Sequence, residues 1–282
     1  MKTLIELQDI AKQVRRDIVR MTNKAKSGHP GGSLGCTEFM TALHFNIMNA
    51  DPAHFTMEGR GEDMFFMSNG HITPVLYSVM SRRGYFPVDE LNTFRFLGTR
   101  LQGHPSTAHN LPGIRMASGS LGQGLSVAIG AAVAKKMDGD KNLVFTLHGD
   151  GELQEGQIWE AVMFAGSKGV DNLISTIDYN RQQIDGTTDH VMSLGNLQAK
   201  WEAFGWQVVN IADGNDMQQV LDGLGSARSL TGKGKPICVI MKTEMGYGVD
   251  FMQGTNKYHG TPPSDEELAK ALAQLPETLG DY

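Results

Sequence analysis

The sequence predicts an α/β domain with a mostly parallel sheet and helices on both faces. Three observations carry this reading. Five short apolar runs, at 64–67, 143–147, 173–177, 208–211 and 237–241, have the length of buried strands. From residue 143 onward they alternate with helical patterns, as right-handed crossovers between parallel strands require. Glycine is abundant, at 34 of 282 residues, which suits many tight strand-to-helix turns and close approach of backbone to a ligand.

The elements follow in order. Leu4, Leu7, Ile10, Ala11, Val14, Ile18 and Met21 recur at helical spacing, so an amphipathic helix is expected over 3–26. Ser27-Gly28-His29-Pro30-Gly31-Gly32 should end it as a loop that no helix crosses. A second helix is expected over 34–48. The strand 64–67 runs into Ser68-Asn69-Gly70-His71, and a helix follows over 74–83. Residues 101–118, rich in Gly, Pro, His and Asn, read as irregular, and a helix is expected over 121–137. Strand 143–147, helix 155–168 and strand 173–177 form one crossover unit. A helix ending at 201–204, strand 208–211, helix 217–229 and strand 237–241 continue the alternation. A last helix is expected after Pro262, beginning near Asp265-Glu266-Glu267. No internal repeat, low-complexity segment or linker divides the chain, so residues 1–282 read as one domain.

The bulk properties narrow the function classes. Net charge is -6 with no basic block, which argues against nucleic acid or an anionic membrane as partner. The two cysteines, Cys36 and Cys238, form no Cys-x-x-Cys and read as small core residues in a reducing compartment. The first residues mix charged with apolar side chains, unlike a signal peptide, and no apolar run reaches membrane-spanning length. A cytoplasmic location is the expectation.

The chemistry concentrates at the strand ends. Run 143–147 leads into His148-Gly149-Asp150-Gly151, and run 173–177 leads into Asp178-Tyr179-Asn180. Neighbouring parallel strands place their ends side by side, so Asp150 and Asn180 can converge although thirty positions apart. A carboxylate and an amide carbonyl make a hard-oxygen site suited to Mg2+, which takes few protein ligands and completes its shell with phosphate oxygens. The helix after Gly151, expected over 155–168, would turn free N–H groups and a positive dipole end toward the same phosphates. The bland alternative is an ordinary crossover turn with a polar Asn cap.

Four histidines lie in glycine- or proline-rich loops: His29, His71, His104 and His259. Each alone reads as a loop residue. Together, beside a metal–phosphate motif, they suit a pocket that needs hydrogen-bond donors and proton carriers. Gly119-Ser120-Leu121-Gly122-Gln123-Gly124 is another glycine-rich turn entering a helix, and it fits neither the dinucleotide fingerprint nor the P-loop.

In combination these motifs are specific. Ser-Gly-His-Pro-Gly-Gly (27–32), Ser-Asn-Gly-His (68–71), Gly-His-Pro (103–105), Gly-Ser-Leu-Gly-Gln-Gly (119–124), Gly-Asp-Gly-Glu-Leu-Gln-Glu-Gly (149–156), Asp-Tyr-Asn (178–180), Lys-Thr-Glu-Met-Gly-Tyr-Gly-Val (242–249) and Tyr-His-Gly (258–260) stand in the order found in transketolase, and the chain resembles that family along nearly its whole length. The resemblance implies the thiamine diphosphate-binding fold, and specifically its diphosphate-binding domain. It implies Mg2+, replaceable by Ca2+ or Mn2+, on the side chains of Asp150 and Asn180 and the backbone carbonyl of Gln182. It places His71, Gly151 and His259 at the diphosphate, and Gly119 and Leu121 beside the cofactor's rings. His29, His104 and His259 would face the sugar substrate, and Glu155 would lie at an interface with a partner. Ser120, where single-chain members commonly have proline, and Arg181-Gln182 after the metal Asn depart from the family pattern.

Complete transketolases continue with pyrimidine-binding and C-terminal domains. The resemblance therefore implies the N-terminal subunit of a split enzyme, which would work with a second chain as a heterotetramer on sugar phosphates in the pentose phosphate pathway. Two other readings are one half of a related enzyme, acting on an unusual sugar phosphate or in a deoxyxylulose phosphate synthase-like reaction, and a non-catalytic relic of the fold. The intact Asp150, Asn180 and four loop histidines argue against the relic.

Overall fold

The computed structural model describes residues 1–282. Its elements run α1 (Leu4–Ala25), α2 (Pro30–Gly35), α3 (Thr37–Ala42), β1 (Met64–Met67), α4 (Thr73–Arg83), α5 (Gly124–Met137), β2 (Val144–Gly149), α6 (Gly156–Lys168), β3 (Leu173–Tyr179), β4 (Gln182–Gln183), β5 (Gly186–Thr187), α7 (Thr188–Met192), α8 (Leu197–Ala203), β6 (Gln207–Ile211), α9 (Met217–Leu230), β7 (Ile237–Lys242) and α10 (Asp265–Gln274). The main sheet has five strands in the order β1-β2-β3-β7-β6, and every pairing is parallel. The expected α/β class is what forms.

Side-chain alternation along the strands builds a core on each face. Phe145, Leu147, Ile174, Val239 and Met241 point to the core shared with α1, α3, α4 and α9. Val144, Leu173, Ile177, Cys238 and Ile240 point to the core shared with α5, α6 and α8. Because both faces are covered, the strands read as continuous apolar runs. Both cysteines are buried, as expected of core residues.

Local signals set several boundaries. α1 begins at a capping box in which Thr3 accepts from the Glu6 N–H and the Glu6 side chain accepts from the Thr3 N–H. α10 begins at the equivalent Ser264–Glu267 box. Two buried ion pairs brace α1, Arg15 to Glu38 on α3 and Arg82 on α4 to Asp17, each at 2.5 Å.

Three boundaries differ from expectation. The loop at 27–32 was expected to exclude helix, but α2 starts at Pro30, where proline loses nothing because a first-turn N–H has no intrahelical partner. Its glycines are needed for contact: a Cβ on Gly31 would stand 2.9 Å from the Tyr258 carbonyl oxygen. The helix expected over 34–48 is divided at Cys36 and ends in a π-helical turn, Leu43–Ile47. The helix expected from 121 starts at Gly124, because Gly122 has a positive φ of 87°. The small hairpin β4–β5 and α7 were not anticipated.

Candidate functional site

The strand ends converge as the register requires. Gly149 at the end of β2 is the neighbour of Asp178 on β3, and the Asp150 N–H donates to the Asp178 carbonyl at 3.2 Å. The Asp150 carboxylate then spans the two turns. One oxygen accepts from the Gly151 N–H at 2.8 Å and the other from the Arg181 N–H at 2.5 Å. Asn180 is oriented from both sides. Its amide nitrogen donates to Asp178 at 2.8 Å, and its oxygen accepts from the Gln182 N–H at 2.9 Å.

A cavity of about 320 Å³ opens at these strand ends. Among its lining residues are Asp150, Gly151, Asn180, Gln182, Gly119, Leu121, His29, His71 and His259. His104 lies at its edge, with its ring 6.5 Å from that of His29. It is held against Gly119, where a Cβ would come within 2.5 Å of the imidazole and where φ is 127°. The other rings are closer: His29 to His71 5.0 Å, His29 to His259 5.9 Å and His71 to His259 5.2 Å. Loops separated by as many as 230 positions, from His29 to His259, thus form one cluster. Glu155 does not line the cavity. It is exposed at the start of α6 and packs against the Gly122 turn.

One expectation changes. The helix expected over 155–168 forms at Gly156–Lys168, but it does not turn its free N–H groups to the cavity beside Gly151. A short 3₁₀ turn, Gly151–Gln154, intervenes and α6 begins at Gly156, while the Gly151 N–H is engaged by Asp150. The backbone next to the cavity is a tight turn rather than the first turn of an α-helix.

The electrostatics describe a site with unmet demands. Burial, followed by the neighbouring Asp178, pushes the Asp150 carboxyl up to about 8, and burial raises Asp178 as well. Two buried carboxylates share this corner without a cationic side chain between them. No group of three or more His, Cys, Asp or Glu side chains is arranged to hold a metal. A cation here would need one carboxylate, amide and backbone oxygens, and ligand oxygens, which is the donor set Mg2+ accepts. His29 Nδ1 and His259 Nδ1 are buried without hydrogen-bond partners, although buried polar atoms normally have them. The residues present fit a polar, anionic ligand with a divalent cation.

The imidazoles are neutral in this state. Burial, then the neighbouring His259, brings His29 down to about 4. Burial first, with the other imidazoles, holds His71 well below its usual value. Burial lowers His104 and His259, with Arg95 adding to the effect at His104. Near pH 7 they therefore act as neutral hydrogen-bonding groups. A stability consequence follows for His29. Because its folded pKa lies below the unfolded one, the unfolded chain binds the extra proton, and stability is lost as pH falls from about 6.5 toward about 4. Relative to His29→Gln, the wild-type chain should lose on the order of 2 kcal/mol between pH 7 and pH 5. Urea unfolding of both chains at the two pH values measures this, and parallel pH profiles would remove His29 as the cause.

Three polar residues in or beside the site were not singled out by the sequence reading. Glu152 is buried and lines the cavity. Asp178 orients Asn180. Arg95 donates to Ser27 Oγ at 2.7 Å, has no carboxylate partner, and holds its guanidinium beside Gly103, next to His104. Glu152 and Asp178 do lie two positions from Asp150 and Asn180, inside the same motifs, but their inward orientation depends on the turns.

The chain is similar to several known proteins. The family model for the transketolase thiamine diphosphate-binding domain matches residues 7–277. The chain is 40% identical over 271 residues to the 6-deoxy-6-sulfo-D-fructose transketolase subunit SqwG of Clostridium sp. strain MSTE9, covering 96% of each chain. It is 38% identical over 271 residues to one of the apulose-4-phosphate transketolase subunits of Actinobacillus succinogenes, again covering 96% of each. Against the solved transketolase of Campylobacter jejuni it superposes with a TM-score of 0.89 at 31% identity, covering 97% of this chain and 43% of that one. The chain thus spans about two fifths of the full transketolases it matches.

Proposed function

The chain belongs to the transketolase family through its thiamine diphosphate-binding domain, and from that premise we propose that it is the N-terminal subunit of a split transketolase. The reaction is transfer of a two-carbon ketol unit from a ketose or its phosphate to an aldose or its phosphate. The observation that carries this reading is the single cavity in which Asp150 and Asn180 meet His29, His71 and His259. Support for a split enzyme comes from the relatives named as subunits, which match nearly end to end, whereas full transketolases are more than twice as long as the matched region.

In this reading Asp150, Asn180 and the Gln182 carbonyl hold Mg2+, with Ca2+ or Mn2+ as substitutes. His71, Gly151 and His259 face the diphosphate, and Gly119 and Leu121 border the rings. Thiamine diphosphate supplies the electron sink for carbon–carbon cleavage next to a ketone. The protein's part is orientation and proton movement. His29, His104 and His259, held neutral by burial, donate to or accept from sugar hydroxyls without adding fixed charge. Arg95 adds a cation beside His104 that suits an anionic substrate end. Glu155 is exposed where a partner chain carrying the pyrimidine-binding and C-terminal domains would cover it, and two copies of each chain give a heterotetramer. The proposed location is the cytoplasm; no helix is long and apolar enough to cross a membrane.

Two relatives carry names with uncommon sugars, 6-deoxy-6-sulfo-D-fructose and apulose-4-phosphate, and this favours a second reading in which the donor is an unusual sugar rather than a pentose phosphate pathway ketose. A donor–acceptor panel with the assembled enzyme separates the two. Ordinary pentose and hexose phosphates turning over best supports the first, and a modified sugar doing so supports the second. No two-carbon transfer with any pair would remove both.

The histidines provide a narrower test. His29→Ala and His104→Ala should lower kcat and kcat/KM together, by about 100-fold or more, while thiamine diphosphate affinity changes only a few-fold. Steady-state kinetics on the best sugar pair, with calorimetry for the cofactor, give both quantities. Wild-type turnover in either variant would return that histidine to a structural loop role.

A further inference from the structure

We infer that Glu152 is a positioning residue that locks three glycine-rich loops of the cavity into one register, so that their cofactor-facing groups converge. The inference rests on the cofactor reading above and extends it to a side chain outside the proposed ligand set.

Glu152 is only 2% exposed. One carboxylate oxygen accepts from the Ser68 hydroxyl and from the Gly122 N–H at 2.8 Å. The other accepts from the Gly149 N–H at 3.2 Å. Ser68 Oγ in turn accepts from the Gly124 N–H at 3.1 Å. These donors lie on three separate segments. Ser68 follows β1 and leads to His71. Gly122 and Gly124 belong to the turn that presents Gly119 and Leu121. Gly149 ends β2 and leads to Asp150 and Gly151. One carboxylate thus joins the segments that carry three groups of proposed cofactor contacts.

The connection needs a carboxylate specifically. Both oxygens face only donors among these partners. Glutamine has nearly the same shape, but its amide nitrogen must then face either the Gly149 N–H or the Ser68–Gly122 donors. Donor would oppose donor in a buried place, and one loop would be released. Behind Glu152 lies His148, with Nδ1 3.7 Å from the second oxygen and Nε2 in contact with Thr146 Oγ1 at 2.5 Å.

The test uses calorimetry of thiamine diphosphate with Mg2+ on the chain assembled with its partner, together with thermal melting without cofactor. Glu152→Gln should weaken cofactor binding about 10- to 100-fold, the range typical of residues that orient metal ligands. The fall in kcat at saturating cofactor should be smaller. A merely structural role is separated by the melt, because a variant that is more than about 99% folded at the assay temperature cannot lose affinity through global unfolding. Ser68→Ala should also weaken binding, and the double variant should lose less than the sum of the two, since both act through one bridge. If Glu152→Gln does not fold, Ser68→Ala decides the matter. A folded variant with wild-type cofactor affinity overturns the assignment of Glu152 alone. A wild-type complex that does not bind thiamine diphosphate overturns this assignment together with the cofactor reading.

Discussion

Asp150→Ala should abolish Mg2+-dependent binding of thiamine diphosphate, a loss of more than about 100-fold, while the domain stays folded. Even residues that only orient metal ligands cost about 10- to 100-fold on removal, and Asp150 is proposed as a direct ligand and the only full charge in the set. The survival of folding has its own basis. Asp150 is buried beside Asp178, and its raised pKa, about 8, means that its charged form is disfavoured in the folded chain without a cation. With a folded pKa above the unfolded one, ionised Asp150 reduces stability as pH rises through that window. Removing it deletes that penalty at the cost of two hydrogen bonds, to the Gly151 and Arg181 N–H groups. The cofactor-free variant should therefore melt near the wild type at about pH 8, and Mg2+ with thiamine diphosphate should raise only the wild-type Tm. Unchanged calorimetric affinity in Asp150→Ala would remove the metal assignment at the centre of the site.

The second large effect concerns the partner. The purified chain should show no ketol transfer and only weak thiamine diphosphate binding, with both recovered on mixing with a chain that carries the pyrimidine-binding and C-terminal domains. In the transketolase resemblance the cofactor lies across an interface, its diphosphate on one domain and its pyrimidine on another. The cavity gathers the proposed diphosphate and metal contacts Asp150, Gly151, Asn180 and His71, and Glu155 stands outside it on the exposed start of α6. On the split-subunit proposal a second surface completes the pocket, so affinity and turnover should rise together with partner concentration. Light scattering of the mixture should give the mass of two copies of each chain. Robust transfer by this chain, shown by mass spectrometry to be free of any other protein, would refute the split-subunit proposal.

The helical periodicity from Leu4 to Met21 and the alternation of apolar runs after residue 143 placed most elements close to where they form, because each signal is local: a helix shows its buried stripe every three to four residues, and a fully covered parallel strand reads as an unbroken apolar run. The boundaries that moved depend on contacts distant in sequence. Helix α2 keeps glycine at Gly31 because the Tyr258 carbonyl packs against it. The turn at Gly122 holds a positive φ beside Glu155 and delays α5. Pro30 at N1 is a local helix-start signal, but the packing of Tyr258 on Gly31 and of Glu155 beside Gly122 is not legible within a few residues of either.

The same division applies to the site. The sequence by itself determined the parallel α/β class, the family resemblance, and the pairing of Asp150 with Asn180, since neighbouring strand ends must lie together once the strands are parallel. Only the tertiary structure decided that His29, His71 and His259 line one cavity with His104 at its edge, that burial lowers the pKa of all four, and that the backbone after Gly151 is a 3₁₀ turn. It alone decided that Glu152, Asp178 and Arg95 belong to the site, because these properties arise from burial and from hydrogen bonds between loops, and burial is a property of the packed chain rather than of any segment.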